Sequence, residues 1–157
     1  MTKNLIVYYS HSSHTANLAK MIQKLAGGTL CELIPRDSYP SVYRELVDQA
    51  KKEITSGYLP ELKVPAESAE SYDIIFLGTP NWWSTLAPPV ATFLHRQSLA
   101  GKTVVPFCTH GGGGSGRVSQ DIAKLCPDAV LRPGFAAYEN SAKETDVAAW
   151  LAGLGVL

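Results

Sequence analysis

Leu5-Ile6-Val7-Tyr8-Tyr9 is apolar or aromatic at every position. A strand with one wet face alternates apolar and polar residues. An unbroken run rich in β-branched and aromatic residues reads as a strand covered on both faces. Four hydroxyl-bearing residues follow within Ser10-His11-Ser12-Ser13-His14-Thr15. Leu18, Ile22 and Leu25 then recur at helical spacing, with Ala19 and Ala26 beside them. The order is strand, hydroxyl-rich loop, helix. A helix N-terminus has unpaired N–H groups and a partial positive charge, which suits an anion. With the hydroxyls added, this loop can hold a phosphate without Lys or Arg.

The alternation continues along the chain. Residues 29–34 read as a second strand stopped by Pro35, and residues 43–54 as a helix with Leu46, Val47, Ala50 and Ile54 on one face. Residues 57–70 hold Pro60 and Pro65 and read as a loop. Residues 72–78 form a third, apolar strand, and a helix starts over residues 90–94. Residues 103–109 form a fourth strand, in which Pro106 marks a bulge or an irregular stretch. A glycine loop, a helix over 118–125, a weak fifth strand from 129 towards Phe135 and a closing helix over 142–154 complete the pattern. This predicts one α/β domain over residues 1–157, built on an open, doubly wound, five-stranded parallel sheet with helices on both faces. A closed barrel typically needs about 250 residues. In open sheets of this kind, ligands bind beyond the carboxyl ends of strands where the strand order reverses. Unusual loops follow the first, third and fourth strands and nothing comparable follows the second. Strands 1, 3 and 4 are therefore expected side by side around one site.

Composition excludes other classes. The 14 basic and 14 acidic residues cancel, and no basic cluster occurs, which argues against nucleic acid as a partner. No apolar stretch reaches the length of a membrane span and the start does not read as a signal peptide, so the expectation is a cytoplasmic protein without a membrane partner. Cys31, Cys108 and Cys126 are odd in number and lack metal-ligand spacing, so no metal is expected, and Cys31 and Cys108, in strand-like runs, read as reduced, buried thiols.

Each loop has a plain alternative to a binding role. The first could be a capped turn, but one cap needs one hydroxyl. It lacks the Gly-x-x-x-x-Gly-Lys-Ser/Thr pattern of a nucleoside-triphosphate loop, so a monophosphate on neutral donors is the expectation. The second, Gly78-Thr79-Pro80-Asn81-Trp82-Trp83-Ser84-Thr85-Leu86-Ala87-Pro88-Pro89, sets adjacent indoles in a loop bounded by prolines, where a flat aromatic ligand could stack. The alternatives are a plug for the loop or a partner interface. The third, Thr109-His110-Gly111-Gly112-Gly113-Gly114-Ser115-Gly116-Arg117, formally holds Gly-x-Gly-x-x-Gly, but on the fourth strand rather than the first. It lets backbone groups approach a ligand edge, or is simply a flexible turn. Arg117 breaks the Gly-x-Ser-x-Gly nucleophile pattern about Ser115.

Together the loops resemble the flavodoxin family. Ile6, Val7, Tyr8, Ser10, Ser13, Thr15, Ala19 and Ile22 follow its N-terminal signature, with Ser13 standing where the family usually has Gly or another very small residue. The Pro80-Asn81-Trp82-Trp83 and Thr109-His110-Gly111-Gly112-Gly113 loops resemble the second and third flavin loops of a bacterial flavodoxin-like group. The resemblance covers essentially the whole chain, in the short form without an inserted segment after Ala129. The family is itself the type example of strand order 2-1-3-4-5 with FMN at the switch point, so that order comes from the resemblance and not from the residues. The resemblance implies an FMN cofactor. Its phosphate would sit on Ser10, Ser12, Ser13, His14 and Thr15, with His11 alongside, and Trp82 or Trp83 would cover the ring. Thr79, Pro80, Asn81 and Ser84 belong to the loop facing the N5 edge, and Thr109, His110, Gly111, Gly112 and Gly113 to the loop facing the pyrimidine. Indole stacking with few cations nearby implies a lowered potential for the fully reduced flavin, with Arg117 and His110 as the residues that would oppose it. The implied function is electron transfer to a redox partner protein or a small-molecule acceptor, by a monomer or weak dimer. Dedicated carriers of this family resemble one another in being strongly acidic, whereas this chain is neutral. That raises an FMN-dependent NAD(P)H:quinone-type oxidoreductase as an alternative. A flavin-binding interaction protein, with Tyr39, Tyr43 or Tyr58 as contacts, is the third.

Overall fold

The structure is a computed structural model and describes residues 3–157. Its elements are β1 (Asn4–Tyr8), α1 (His14–Ala26), β2 (Thr29–Glu32), α2 (Tyr43–Ser56), β3 (Ile74–Pro80), α3 (Pro88–Arg96), β4 (Thr103–His110), α4 (Val118–Leu125), β5 (Val130–Leu131), β6 (Phe135–Tyr138) and α5 (Glu144–Gly153). The strands pair in parallel in the order β2-β1-β3-β4-β5, with β6 also on β4. The expected order 2-1-3-4-5 is present. β1, β3 and β4 stand side by side, as the placement of the loops required.

The continuous apolar strands bury both faces. Leu5, Val7, Ile75, Leu77 and Val104 pack towards Leu46 of α2, Val90, Phe93 and Leu94 of α3, and Ile122 of α4. Ile6, Tyr8, Phe76, Val105 and Phe107 pack the other way, against Leu18 and Ile22 of α1 and Val147 and Leu151 of α5. Each such side chain, fully buried, contributes roughly 1.5–3 kcal/mol relative to exposure. Local chemistry sets several ends. Pro88 and Pro89 open α3, where a missing N–H costs nothing. Gly57 closes α2 at φ 70, its N–H returning to the carbonyls of Glu53 and Ile54.

The fifth lane of the sheet differs in detail from the expectation of one weak strand. It is split into β5, beside Thr103 and Val104, and β6, beside Phe107 to His110. The cause is Pro106. Alternate residues of a parallel strand turn their backbone groups to opposite neighbours. Thr103 and Thr109 bond towards β3, and Val104 and His110 towards β5 and β6. Pro106 shares the parity of Val104 and His110 but has no N–H to give. Its pairing with Leu77 of β3 is kept, so only the outer lane breaks. Gly134 crosses that break, where a Cβ would lie 2.6 Å from the Pro106 carbonyl oxygen. Among the described residues, no helix is long and apolar enough to cross a membrane.

Candidate functional site

A cleft of about 510 Å³ opens where β1, β3 and β4 end. That volume is in the usual range for small-molecule sites. Its polar lining comes from His11, Ser12, His14, Thr109, His110 and Glu139, and its apolar lining from Tyr43, Leu46, Val47, Ala50, Trp82 and Trp83. Ser41, Pro80, Asn81 and Gly111 complete it. All three predicted loops therefore reach one cavity.

Loop one takes its one side-chain cap from Ser10 and leaves the Ser12 and Ser13 hydroxyls and its N–H groups for a ligand. Ser13 is the N-cap of α1, but it is left-handed at φ 72, ψ −14 and its hydroxyl makes no cap bond. The Ala16 N–H instead reaches back to Ser10 Oγ at 3.1 Å. Among the described residues, none of the backbone N–H groups of residues 10–15 has an acceptor. These donors sit at the positive end of α1, with the exposed hydroxyls of Ser12 and Ser13 beside them. The Ser12 hydroxyl lies 3.4 Å from His14 Nδ1. Thr15 is turned inwards. Its Oγ1 meets Thr109 Oγ1 at 2.7 Å, tying loop one to the end of β4.

Loop two is a two-residue hairpin. Trp82 and Thr85 exchange both backbone hydrogen bonds, at 3.0 and 3.1 Å. Trp83 (φ 54) and Ser84 (φ 67) hold the positive φ values that a type I′ turn demands at both central positions. The turn gives the two indoles different surroundings. Trp82 is half-buried in an edge-on cluster, with ring centroids 5.5 Å from Tyr9, 5.0 Å from Tyr39 and 6.1 Å from His11. Trp83 is 46% exposed; its Nε1–H donates to the Val47 carbonyl at 3.0 Å and Lys51 Nζ lies 5.1 Å from its ring centroid. That bond fastens the loop to α2. Thr79 is fully buried and serves the loop's shape, donating to the Pro80 carbonyl and accepting from the Ala87 N–H.

Loop three is fastened to loop two. The Asn81 N–H donates to the Thr109 carbonyl at 2.8 Å and its side-chain amide to the Gly114 carbonyl at 2.7 Å. The Arg117 N–H donates to the Ser84 carbonyl at 2.7 Å. Gly116, at φ 52, permits this contact, since a Cβ there would lie 2.7 Å from the Ser84 oxygen. His110 Nδ1 accepts the Gly112 N–H at 3.1 Å, which leaves Nε2 to carry the ring proton. Ser10, Ser13, Thr15, Thr79, Ser84, Gly112 and Gly113 do not line the cleft; those whose contacts are given above shape or fasten its loops.

Residue patterns did not point to the α2 wall or to Glu139. The Leu46, Val47 and Ala50 face reads as core from its spacing, and Leu46 and Ala50 are indeed buried. The same face also borders the cleft, because α2 comes back over the ends of the strands. Glu139, at φ 47, joins Ser13, Trp83 and Ser84 as the non-glycine residues at positive φ among the described residues. All of them lie in the cleft or its loops, and such strain clusters at functional sites. Tyr39, read as a possible partner contact, is only 9% exposed and belongs to the core. Its hydroxyl donates to Glu53 Oε1 at 2.6 Å. Burial first, and then the Glu53 carboxylate, push the Tyr39 phenol well above its ordinary range. Cys108 is buried, as expected, and Cys126 is buried too, but Cys31 is only half-buried.

Comparisons with known proteins agree with this architecture. A protein of Bacteroides eggerthii described as a flavoprotein is 30% identical over 100% of both chains, with a TM-score of 0.89. A flavoprotein of Lactobacillus acidophilus, solved in complex with FMN, is 24% identical, covers 95% of this chain and 99% of its own, and has a TM-score of 0.74. The oxidised flavodoxin 2 of Bacillus cereus shares the fold at 16% identity, covering 98% of this chain and 97% of its own, with a TM-score of 0.61. No curated protein matches the chain. The model of the flavodoxin family matches residues 3–154, and the chain therefore belongs to the flavodoxin family.

Proposed function

We propose that this chain binds FMN in the cleft and transfers electrons through it. The observation that carries the reading is one cavity joining the loop-one residues His11, Ser12 and His14, whose N–H groups are free, to an apolar wall of Trp82, Trp83, Leu46 and Val47. A ligand with a phosphate at one end and a flat, largely apolar ring at the other matches both. The FMN complex of the Lactobacillus acidophilus flavoprotein supports the choice. Bound FMN would supply the redox chemistry, while the protein supplies binding, orientation and electrostatics. In this reading the loop-one N–H groups and the Ser12 hydroxyl hold the phosphate, with His11 and His14 beside it, while Ser10 and Thr15 fix the loop's shape. The indoles of Trp82 and Trp83 exclude water from the ring. His110 offers its Nε2–H to a carbonyl edge, beside the backbone of Gly111.

The test is a comparison of FMN with riboflavin by fluorescence titration. Hydrogen bonds to a charged group are worth roughly 1.5–3 kcal/mol each. Two of them make FMN bind at least about 100-fold tighter. Equal affinities would remove the phosphate assignment.

One observation favours a second reading. A formal net charge of zero supplies no acidic field to steer a basic protein partner, which suits an FMN-dependent NAD(P)H:quinone-type oxidoreductase with a small-molecule acceptor. Steady-state NADPH oxidation with a quinone separates the two. Turnover without a partner protein identifies the enzyme, and reduction only by a partner reductase identifies the carrier. Tyr43 and Tyr58, 79% and 50% exposed, are the side chains that an interaction protein would use instead.

A further inference from the structure

Tyr9, Trp82 and Tyr39 form a triangle of edge-on rings, with centroids 5.0–5.9 Å apart. Trp82 borders the cleft, whereas Tyr39 does not. The Tyr39 hydroxyl donates to Glu53 Oε1 at 2.6 Å, and Glu53 Oε2 is held by Gln49 Nε2 at 2.9 Å. No hydrogen bond from the Tyr9 hydroxyl is found among the described residues. Packing alone needs rings, but it does not need a short, fixed O–H to carboxylate contact at the end of the cluster farther from the cleft. A phenol that loses an electron becomes strongly acidic, so it is readily oxidised only where a base can take its proton in the same event. Tyr39 meets that condition and Tyr9 does not.

We propose that Trp82, Tyr39 and Glu53 form a proton-coupled relay that draws a one-electron oxidising equivalent out of the cleft. A one-electron oxidant at the cleft, photoexcited flavin being the native case, takes an electron from the Trp82 indole. An electron from the Tyr39 phenol refills the indole. The Tyr39 O–H bond breaks and an O–H bond forms on Glu53 Oε1. The oxidant has then gained one electron, Tyr39 is a neutral phenoxyl and Glu53 is a neutral carboxylic acid, so charge and atoms balance. The hole comes to rest on a side chain that is 9% exposed, where few reactants reach it. The relay rests on the FMN reading only for its native oxidant.

Flash excitation of the FMN-loaded full chain, followed by transient absorption, is the test. The broad visible band of an indole radical is expected to decay as the sharp near-ultraviolet band of a neutral phenoxyl grows. Tyr39→Phe abolishes the phenoxyl band and prolongs the indole radical. Glu53→Gln keeps a hydrogen-bond acceptor but not a base, and slows phenoxyl growth about 100-fold, the low end of what a positioned base contributes. Circular dichroism checks that both conservative variants keep the fold. A second arm uses no flavin: flash-generated tris(bipyridine)ruthenium(III) oxidises the chain, and freeze-quenched electron paramagnetic resonance reads the hydrogen-bonded phenoxyl component that Tyr39→Phe removes. Phenoxyl growth that survives Tyr39→Phe, or keeps its rate in Glu53→Gln, overturns the relay. If FMN fails to bind and the second arm gives the component, the relay stands and the cofactor reading falls. If FMN binds and neither arm gives it, the reverse holds.

Discussion

Ser13 sits at φ 72, a conformation in which a Cβ is strained and glycine is not. That is a physical reason for the glycine or very small residue usual at this point of the family signature. Relief of the left-handed penalty, roughly 1–2 kcal/mol, outweighs the extra freedom glycine gives the unfolded chain, roughly 0.4–1 kcal/mol. Ser13→Gly is therefore expected to raise the urea midpoint by the equivalent of about 0.5–1 kcal/mol without changing the slope. The two tryptophans part company at the same scale. Trp82→Ala opens a hole among Tyr9, Tyr39 and His11 and is expected to cost about 2–4 kcal/mol, somewhat below a fully buried tryptophan. Trp83→Ala removes an exposed ring and one bond to Val47 and is expected to cost about 1 kcal/mol. Equal losses in urea titrations of the two variants would contradict this difference in environment. Residue type alone suggested Trp82-Trp83 as a ring platform, with a loop plug or a partner interface as the alternatives. It did not reveal that a turn sends adjacent indoles to different neighbours.

Between elements, the site depends on how the loops hold one another. Loop two meets loop three through Asn81 on the Thr109 and Gly114 carbonyls and Arg117 on the Ser84 carbonyl. Gly116→Ala places a methyl against the Ser84 backbone at a φ that disfavours it. It is expected to cost at least about 1–2 kcal/mol and to weaken FMN binding, as read by urea titration and flavin fluorescence. Unchanged affinity would mean that this junction does not position the loops. The glycine run was visible in the chain, yet its match to a dinucleotide fingerprint was superficial. Gly116 is needed for contact with the neighbouring loop. Pro106 was also legible as an irregularity. Which side it would disturb depended on the direction of its missing N–H, and that follows from strand order and parity rather than from the local residues.

For the molecule as a whole, buried acids set an alkaline limit. Burial pushes the Cys108 thiol up to about 12. Tyr9 and Tyr39 are raised too, by burial first and Glu53 next. A group with a raised folded pKa contributes stability that is fully present below its unfolded pKa and is lost as pH rises. The window opens near pH 8.5 for a thiol and near 10 for the phenols. At about 1.4 kcal/mol per unit, Cys108 alone is expected to remove roughly 3 kcal/mol by pH 11. Urea midpoints between pH 7 and 11 should fall, and Cys108→Ala should flatten the first part of the decline. A flat profile in the unsubstituted chain would count against burial as the cause. By itself the sequence determined the alternation of strands and helices, burial on both sheet faces, and the three loops after β1, β3 and β4. Those features are written in local periodicity and residue type. The tertiary structure alone decided that α2 forms a wall of the cleft, that Tyr39 reaches Glu53 beside Trp82, that the fifth lane breaks opposite Pro106, and which indole faces water. Each of these depends on contacts or pairings that only the folded chain creates, and local spacing carries no record of them.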